Sequence, residues 1–132
     1  MEKFGYRFSF GPWNIHEGDV PFGPAARPPR TFADKLKAYQ RMGYDAVQFH
    51  DDDAVPNLDD KSAAQIAADA RAMKTMLADA GLAAEFVAPR LWENPLTIDG
   101  AYTANDPAAR AYARDRSRKC LDIAQELGTD FI

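Results

Sequence analysis

The sequence has little of several features that mark particular classes of protein. Cys120 is its one cysteine in 132 residues, so no internal disulfide can form and a reducing cytoplasm is the expected compartment. Lys and Arg number 16 against 20 Asp and Glu, which gives a formal net charge of −4, whereas a nucleic-acid binder normally carries a basic stripe. No apolar run is long enough to span a bilayer, and the first residues lack the basic start and apolar run typical of a signal peptide. These absences predict a cytoplasmic protein that binds neither nucleic acid nor membranes.

Several catalytic motifs are also missing from the sequence. There is no G-x-G-x-x-G, no Walker loop, no G-x-S-x-G and no Cys/His cluster with zinc spacing. A nucleotide-dependent enzyme or a serine hydrolase is therefore not supported. The hydrophobic content of 46% and the charged content of 27% are those of an ordinary globular domain.

Strand-like and helix-like segments alternate along the chain. Strands are predicted at 6–10, in the first half of 45–53, at 84–88 and, as the opening of a fourth, at 129–132. Between them, helices are predicted to begin at the capping residues Thr31, Ser62 and Asp106 and to end at Gly43, Gly81 and Gly128. A long loop rich in Pro and Gly separates the first strand from the first helix.

This alternation predicts an α/β fold with parallel strands and right-handed crossovers. We interpret residues 1–132 as about three and a half β/α units, the N-terminal portion of one (β/α)8 TIM barrel domain. The chain reaches Ile132 within an apolar strand and without a polar tail, so it is expected to be incomplete at its C-terminus. A complete four-stranded protein is the alternative.

The strongest chemical signal is a histidine followed by three aspartates at the end of the second strand. His50 is suited to general acid/base work, and Asp53 is close enough to fix its tautomer. The alternative is a structural histidine beside a solvated acidic loop. A calcium loop starting at Asp51 does not match the EF-hand pattern, because Pro56 and Ser62 stand where Gly and Glu are required.

Three aromatic residues lie in the loops that follow predicted strands. Trp13, Phe22 and Trp92 could line a pocket and stack on the apolar faces of a sugar. They could also simply pack on neighbouring helices. Glu85 lies within an apolar strand and needs a partner if it is buried, for which Arg90 is one candidate.

These residues occur in an order that resembles the xylose isomerase family, in its shorter, actinobacterial-type class. The resemblance runs from about residue 8 to the end of the chain, and the Phe-His-Asp-Asp-Asp stretch at 49–53 is its most specific part. The other matching segments are Phe-Ser-Phe-Gly-Pro-Trp at 8–13, Pro-Phe-Gly at 21–23 and Tyr-Thr-Ala-Asn-Asp at 102–106.

The resemblance implies a TIM barrel enzyme, usually tetrameric, that interconverts D-xylose and D-xylulose, with D-glucose and D-fructose as a second pair. The family opens the sugar ring and then moves hydride with the help of two divalent metal ions, Mg, Mn or Co. Its metal ligands and catalytic lysine lie on later strands, so no metal ligand is expected within residues 1–132. This piece alone is therefore expected to be inactive.

The family's functional residues can be carried over position by position. His50 matches the histidine that assists ring opening and Asp53 the aspartate that orients it. Trp13 matches a pocket tryptophan, and Trp92 stands where the family usually has a phenylalanine against the sugar. Phe22 matches the phenylalanine that reaches into the pocket of a neighbouring subunit, which implies a homotetramer.

Two residues depart from the family pattern. The family often has a threonine and an asparagine in the segment where this chain has Ala88 and Arg90. The preferred sugar is therefore left open. The choice among the metals is also open. Two alternatives also stay open: a related TIM barrel ketose epimerase, and an inactive half-barrel that acts only as a folding or assembly unit.

Overall fold

The chain folds around a parallel sheet of three strands. The computed structural model describes residues 5–20 and 23–132. The strands are β1 at Ser9–Phe10, β2 at Ala46–His50 and β3 at Ala83–Ala88. They lie in the order β1-β2-β3, and both pairings are parallel. The predicted α/β fold is therefore confirmed.

Helices connect and cover these strands. They are α1 at Phe32–Met42, α2 at Asp51–Ala54, α3 at Ala63–Asp79 and α4 at Pro107–Leu127. The predicted caps are confirmed, since Thr31, Ser62 and Asp106 each accept a backbone N–H of the first helical turn through the side chain. Within the described ranges, no helix has both the length and the apolar character that a membrane span requires.

The short helix α2 was not predicted from the sequence. Its three aspartates occupy the first turn, where carboxylates are favoured by the unpaired N–H groups and the positive end of the helix dipole. The acidic cluster is thus folded onto the end of β2 instead of forming an open loop. This placement brings the carboxylates to the C-terminal end of the sheet.

The hydrophobic core lies between the sheet and the helices. Val47, Phe49 and Val87 point from the two longer strands into this layer and are fully buried. Their helical partners are Leu36 and Tyr39 of α1, Ile66, Ala70 and Leu77 of α3, and Cys120, Ile123 and Leu127 of α4. Alternate residues of β2, including Gln48 and His50, are left on the opposite side of the sheet.

Strand β1 is shorter than the predicted strand at 6–10. Only Ser9 and Phe10 pair with β2, opposite Ala46 and Val47. Tyr6 and Phe8 lie before the paired residues and are largely exposed. The alternation of apolar residues predicted a strand correctly, but the predicted extent was wrong.

The predicted fourth strand is only partly formed. Residues 129–132 are not assigned as a strand, but the carbonyl oxygen of Phe131 accepts the backbone N–H of Val87 at 3.2 Å. The segment therefore lies beside β3 and continues the sequential order of the sheet.

Glu85 is exposed and does not pair with Arg90, so the burial that would have required such a partner does not occur. The register of β2 and β3 shifts between Val47 and Gln48, which leaves Glu85 as an extra residue on β3. The bulge turns its carboxylate toward polar neighbours on the sheet, where it accepts hydrogen bonds from the Ser9 hydroxyl and, at 3.0 Å, from Gln48 Nε2.

Candidate active site

The ends of three neighbouring strands meet at one edge of the sheet. Trp13 lies in the 3-10 turn Pro12–Asn14 directly after β1, and His50 is the last residue of β2. Arg90 and Trp92 follow the end of β3. Because the strands are parallel, these side chains share the carboxyl edge, where ligands bind in α/β folds.

The imidazole of His50 lies between two indole rings. Its ring centre is 4.6 Å from that of Trp13 and 5.0 Å from that of Trp92, which meets it edge-on at 77°. Trp13 reaches this position by folding back over Gly11, where the Cβ of any other residue would overlap the indole ring. Three of the predicted pocket residues are thus brought together, while Phe22 lies outside the described residues.

His50 and Asp53 form the predicted pair. The Nδ1 atom of His50 is 3.2 Å from Oδ2 of Asp53, and the same carboxylate oxygen accepts the backbone N–H of His50 at 3.1 Å. Burial raises the pKa of Asp53, but its contacts with the ring and the backbone N–H of His50, together with the positive charge of Arg90, outweigh this effect, so the pKa lies below its usual value. Asp53 is therefore ionised at neutral pH.

The side chain of Arg90 contacts four residues of the site. Its Nε donates to Asp52 Oδ1 at 2.8 Å, its Nη1 to Glu93 Oε1 at 3.0 Å and its Nη2 to Asp53 Oδ1 at 3.3 Å. The same Nη2 lies 3.0 Å from Nδ1 of His50. Burial raises the pKa of Asp52 above its usual value, although Arg90 opposes the shift. Arg90 thus neutralises part of an acidic cluster.

A second arginine holds the remaining aspartate. Asp51 is fully buried and accepts a bidentate pair of hydrogen bonds from Nε and Nη2 of Arg116 on α4. Oδ1 of Asp51 also accepts the backbone N–H of Arg90 at 3.2 Å, while Nη1 of Arg116 lies 3.0 Å from Oδ1 of Asp59. Asp51 therefore ties the loop after β3 to the end of β2 and to α4.

Arg116 was not predicted from the sequence as part of the site. Its signal was present in the sequence, because Arg116 lies four residues after Tyr112 and four before Cys120, and this helical spacing places all three on one face of the helix. An arginine within a buried helical stripe needs an acidic partner, and the nearest acidic cluster in the fold is 51–53.

The carboxylates of this site do not fit a divalent metal ion. Asp51, Asp52 and Asp53 each lie against a guanidinium of Arg90 or Arg116, whose positive charges would oppose a bound cation. Across residues 5–20 and 23–132, no group of three or more His, Cys, Asp and Glu side chains is placed to hold a metal ion.

No protein-family model matches this chain. It is 33% identical over 127 residues to the xylose isomerase of Thermus thermophilus. The match covers 95% of this chain but 32% of the relative, so the chain spans about a third of the length of that curated relative.

Two solved structures have been superposed on this chain. A xylose isomerase-like TIM barrel/4-hydroxyphenylpyruvate dioxygenase fusion protein superposes with a TM-score of 0.53 at 20% identity, over 95% of this chain and 16% of that one. A D-psicose 3-epimerase solved in the presence of D-fructose gives a TM-score of 0.47 at 16% identity, over 76% of this chain and 30% of that one. The first of these shows that the three β/α units are folded as they are in part of a TIM barrel.

Proposed function

We propose that the protein containing this chain is a sugar isomerase that interconverts an aldose and a ketose. D-xylose and D-xylulose are the first candidate pair, and D-glucose and D-fructose the second. The observation that carries the proposal is His50, which pairs with Asp53 and lies between two indoles at the carboxyl edge of the sheet. The 33% identity to a xylose isomerase supports it. Residues 1–132 would be the N-terminal part of one barrel domain, of the shorter actinobacterial-type class.

His50 would serve the opening of the sugar ring. In that step the proton of the anomeric hydroxyl leaves its oxygen, the bond from C1 to the ring oxygen breaks, and the ring oxygen gains a proton. A neutral imidazole can take the first proton and return it to the ring oxygen, while the ionised Asp53 stabilises the imidazolium between the two transfers. Trp13 and Trp92 would pack on the apolar faces of the sugar and exclude water.

The isomerase would also need groups that lie outside the described site. Two divalent ions, Mg, Mn or Co, would be held by ligands outside residues 1–132, so this chain alone is expected to be inactive. The carboxylates of 51–53 are already paired with arginines and are not proposed as metal ligands. Phe22 would reach into the pocket of a neighbouring subunit of a cytoplasmic homotetramer.

The test is conversion of D-xylose to D-xylulose by the intact protein supplied with Mg²⁺, Mn²⁺ or Co²⁺. The His50→Asn variant is expected to lose roughly 10²- to 10⁴-fold in kcat/KM, the usual contribution of a general acid/base. His16→Asn is the matched control. The ring of His16 lies in the loop after β1, where its Nδ1 accepts the N–H of Gly18 at 3.0 Å, and its loss should leave turnover unchanged.

Absence of any aldose–ketose conversion by the metal-loaded protein would refute the proposal. A second candidate, a ketose epimerase, is favoured by Ala88 and Arg90, because Arg90 places a guanidinium on His50 where the xylose isomerase pattern has neutral side chains. The same assay separates the two candidates. An epimerase would turn D-fructose or D-xylulose into a ketose of inverted configuration without forming an aldose.

A further inference from the structure

Two groups of opposite character face the same ring nitrogen of His50. Nδ1 lies 3.2 Å from Oδ2 of Asp53. The ionised carboxylate has no proton, so it can accept a hydrogen bond but cannot donate one. Nδ1 also lies 3.0 Å from Nη2 of Arg90, which can only donate. In the plane of the ring, Nδ1 carries either a proton or a lone pair. It cannot donate to Asp53 and accept from Arg90 at the same time, so one of the two contacts decides where the ring proton lies.

The arrangement of the other hydrogen bonds favours the contact with Arg90. Asp53 does not need the ring proton, since its Oδ2 accepts the backbone N–H of His50 at 3.1 Å and its Oδ1 accepts Nη2 of Arg90 at 3.3 Å. A proton on Nδ1 would instead set an imidazole N–H against a guanidinium N–H at 3.0 Å. Arg90 cannot relieve this clash by losing its proton.

We propose that Arg90 is a positioning residue that fixes the tautomer of His50, keeping Nδ1 as an acceptor and the ring proton on Nε2. Arg90 is held in place for this task by Asp52 and Glu93, which bind its other two nitrogens, and by its backbone N–H, which donates to Asp51. The guanidinium therefore has a fixed orientation at the imidazole.

The consequence for ligand choice rests on the proposed function. With its proton on Nε2, His50 offers a donor to the ligand, and the atom that meets it must be an acceptor oxygen. To take a proton from an anomeric hydroxyl, the proton must first move to Nδ1, and Arg90 must withdraw from it. Arg90 thus places an additional step before ring opening and favours sugars that arrive in open-chain form.

The direct test is nitrogen NMR of the imidazole rings in the intact protein. In mildly alkaline buffer, the Nδ1 signal of His50 is expected to be that of an unprotonated nitrogen and the Nε2 signal that of an N–H. The His50→Asn variant assigns these signals by difference. His16 serves as an internal reference, because its Nδ1 accepts a backbone N–H and its proton must also lie on Nε2. A protonated Nδ1 in wild-type His50 would overturn the proposal.

Two variants test whether Arg90 determines the tautomer of His50. Arg90→Met keeps an unbranched stem without donors, and the ring proton is expected to move to Nδ1 and bind Asp53. Glu93→Gln removes only the ion pair at Nη1 and should leave the proton on Nε2. If Arg90→Met retained the wild-type pattern, Arg90 would not be the cause. The wild-type spectrum decides the tautomer even where a variant does not fold.

Activity provides a second and separate readout. The ratio of kcat/KM for D-xylose to that for glyceraldehyde, an aldose too short to close a ring, is expected to rise about tenfold in Arg90→Met, which is the size of one charged hydrogen bond. An unchanged or lower ratio would contradict the effect on ring opening. Absence of all isomerase activity in the wild type would refute the proposed function. The tautomer found by NMR would not be affected by that outcome.

Discussion

Asp51 is the residue on which the geometry of the candidate site depends. Its carboxylate is fully buried, and it joins the end of β2 to α4 through Arg116 and to the loop after β3 through the backbone of Arg90. The backbone N–H of Asp52 also donates to Oδ1 of Asp51 at 2.9 Å. Burying such a pair requires that every lone pair and proton be matched, because an unpaired buried charge is costly. The position of Arg90 against His50 follows from this anchor.

Replacing Asp51 is expected to be strongly destabilising. Asp51→Ala leaves the buried guanidinium of Arg116 without its bidentate partner and should lower the free energy of unfolding by about 3–5 kcal/mol. Asp59 also contacts Arg116 but its side chain is 41% exposed, so Asp59→Ala should cost less than about 1 kcal/mol. Urea denaturation measures both variants. Equal losses for the two would show that Arg116 is held by the surface pair and not by Asp51.

Local patterns explain which parts of the site could be predicted. His50, Asp53 and the two tryptophans were found because each lies just after a strand or within a short motif. The contact between Arg90 and His50 joins residues 40 positions apart and depends on the bulge at Glu85, which sets Ala88 beside His50. The alternation of apolar residues does not indicate a register shift of one residue, so this contact could not be predicted from the sequence.

The same distinction holds at the scale of whole elements. Helix ends were predictable because caps are local: Thr31, Ser62 and Asp106 bind N–H groups two or three residues ahead. The length of β1 was not predictable, because a strand extends only as far as a neighbouring strand pairs with it. Its alternating sequence continues through Tyr6 and Phe8, but described pairing is restricted to Ser9 and Phe10.

Helix α4 contributes a buried thiol to the packing of the sheet. Cys120 has no exposed surface, and its sulfur lies 3.2 Å from the carbonyl oxygen of Val87 on β3. Burial, together with the negative charge of Asp51, raises the pKa of the thiol to about 12. The thiol should therefore stay protonated and unreactive in the folded chain at neutral and mildly alkaline pH.

This shift predicts a loss of stability in alkali. Above pH about 8.5 the unfolded chain releases the thiol proton while the folded chain keeps it up to about 12, so the free energy of unfolding should fall across that interval. Burial also raises the pKa of Tyr39, which acts in the same direction at higher pH. Urea denaturation at several pH values measures the slope.

Cys120→Ala provides the control for that slope. The variant lacks the titrating thiol, and its stability should decline less steeply between pH about 8.5 and 10, before tyrosine ionisation contributes. Thiol-specific reagents give an independent check, since they should label wild-type Cys120 only as fast as the chain unfolds. Rapid labelling of the native chain would contradict the burial of the sulfur.

At the scale of the molecule, the described sheet has two edges with exposed apolar side chains. Phe8 at the β1 edge is 61% exposed, and Phe131 beside β3 is 70% exposed. Strands in sequential parallel order with helices on one face are the arrangement from which a TIM barrel closes, and closure gives every strand two neighbours. Closure of a barrel would therefore give each exposed edge a neighbouring strand, and hydrogen exchange of the backbone amides can test this.

Amide hydrogen exchange should show whether β1 has a second neighbour in the intact protein. Within the described residues, β2 is paired on both sides, whereas β1 is paired with β2 alone. If the barrel closes, the amides of Ser9 and Phe10 should be protected to within about tenfold of those of Val47 and Phe49, since each carries a comparable hydrogen bond away from water. Free exchange in β1 beside strong protection in β2 would mean that the sheet is open at this edge. Trp13 would then lie at a frayed strand end, and the pocket around His50 would have no fixed wall on that side.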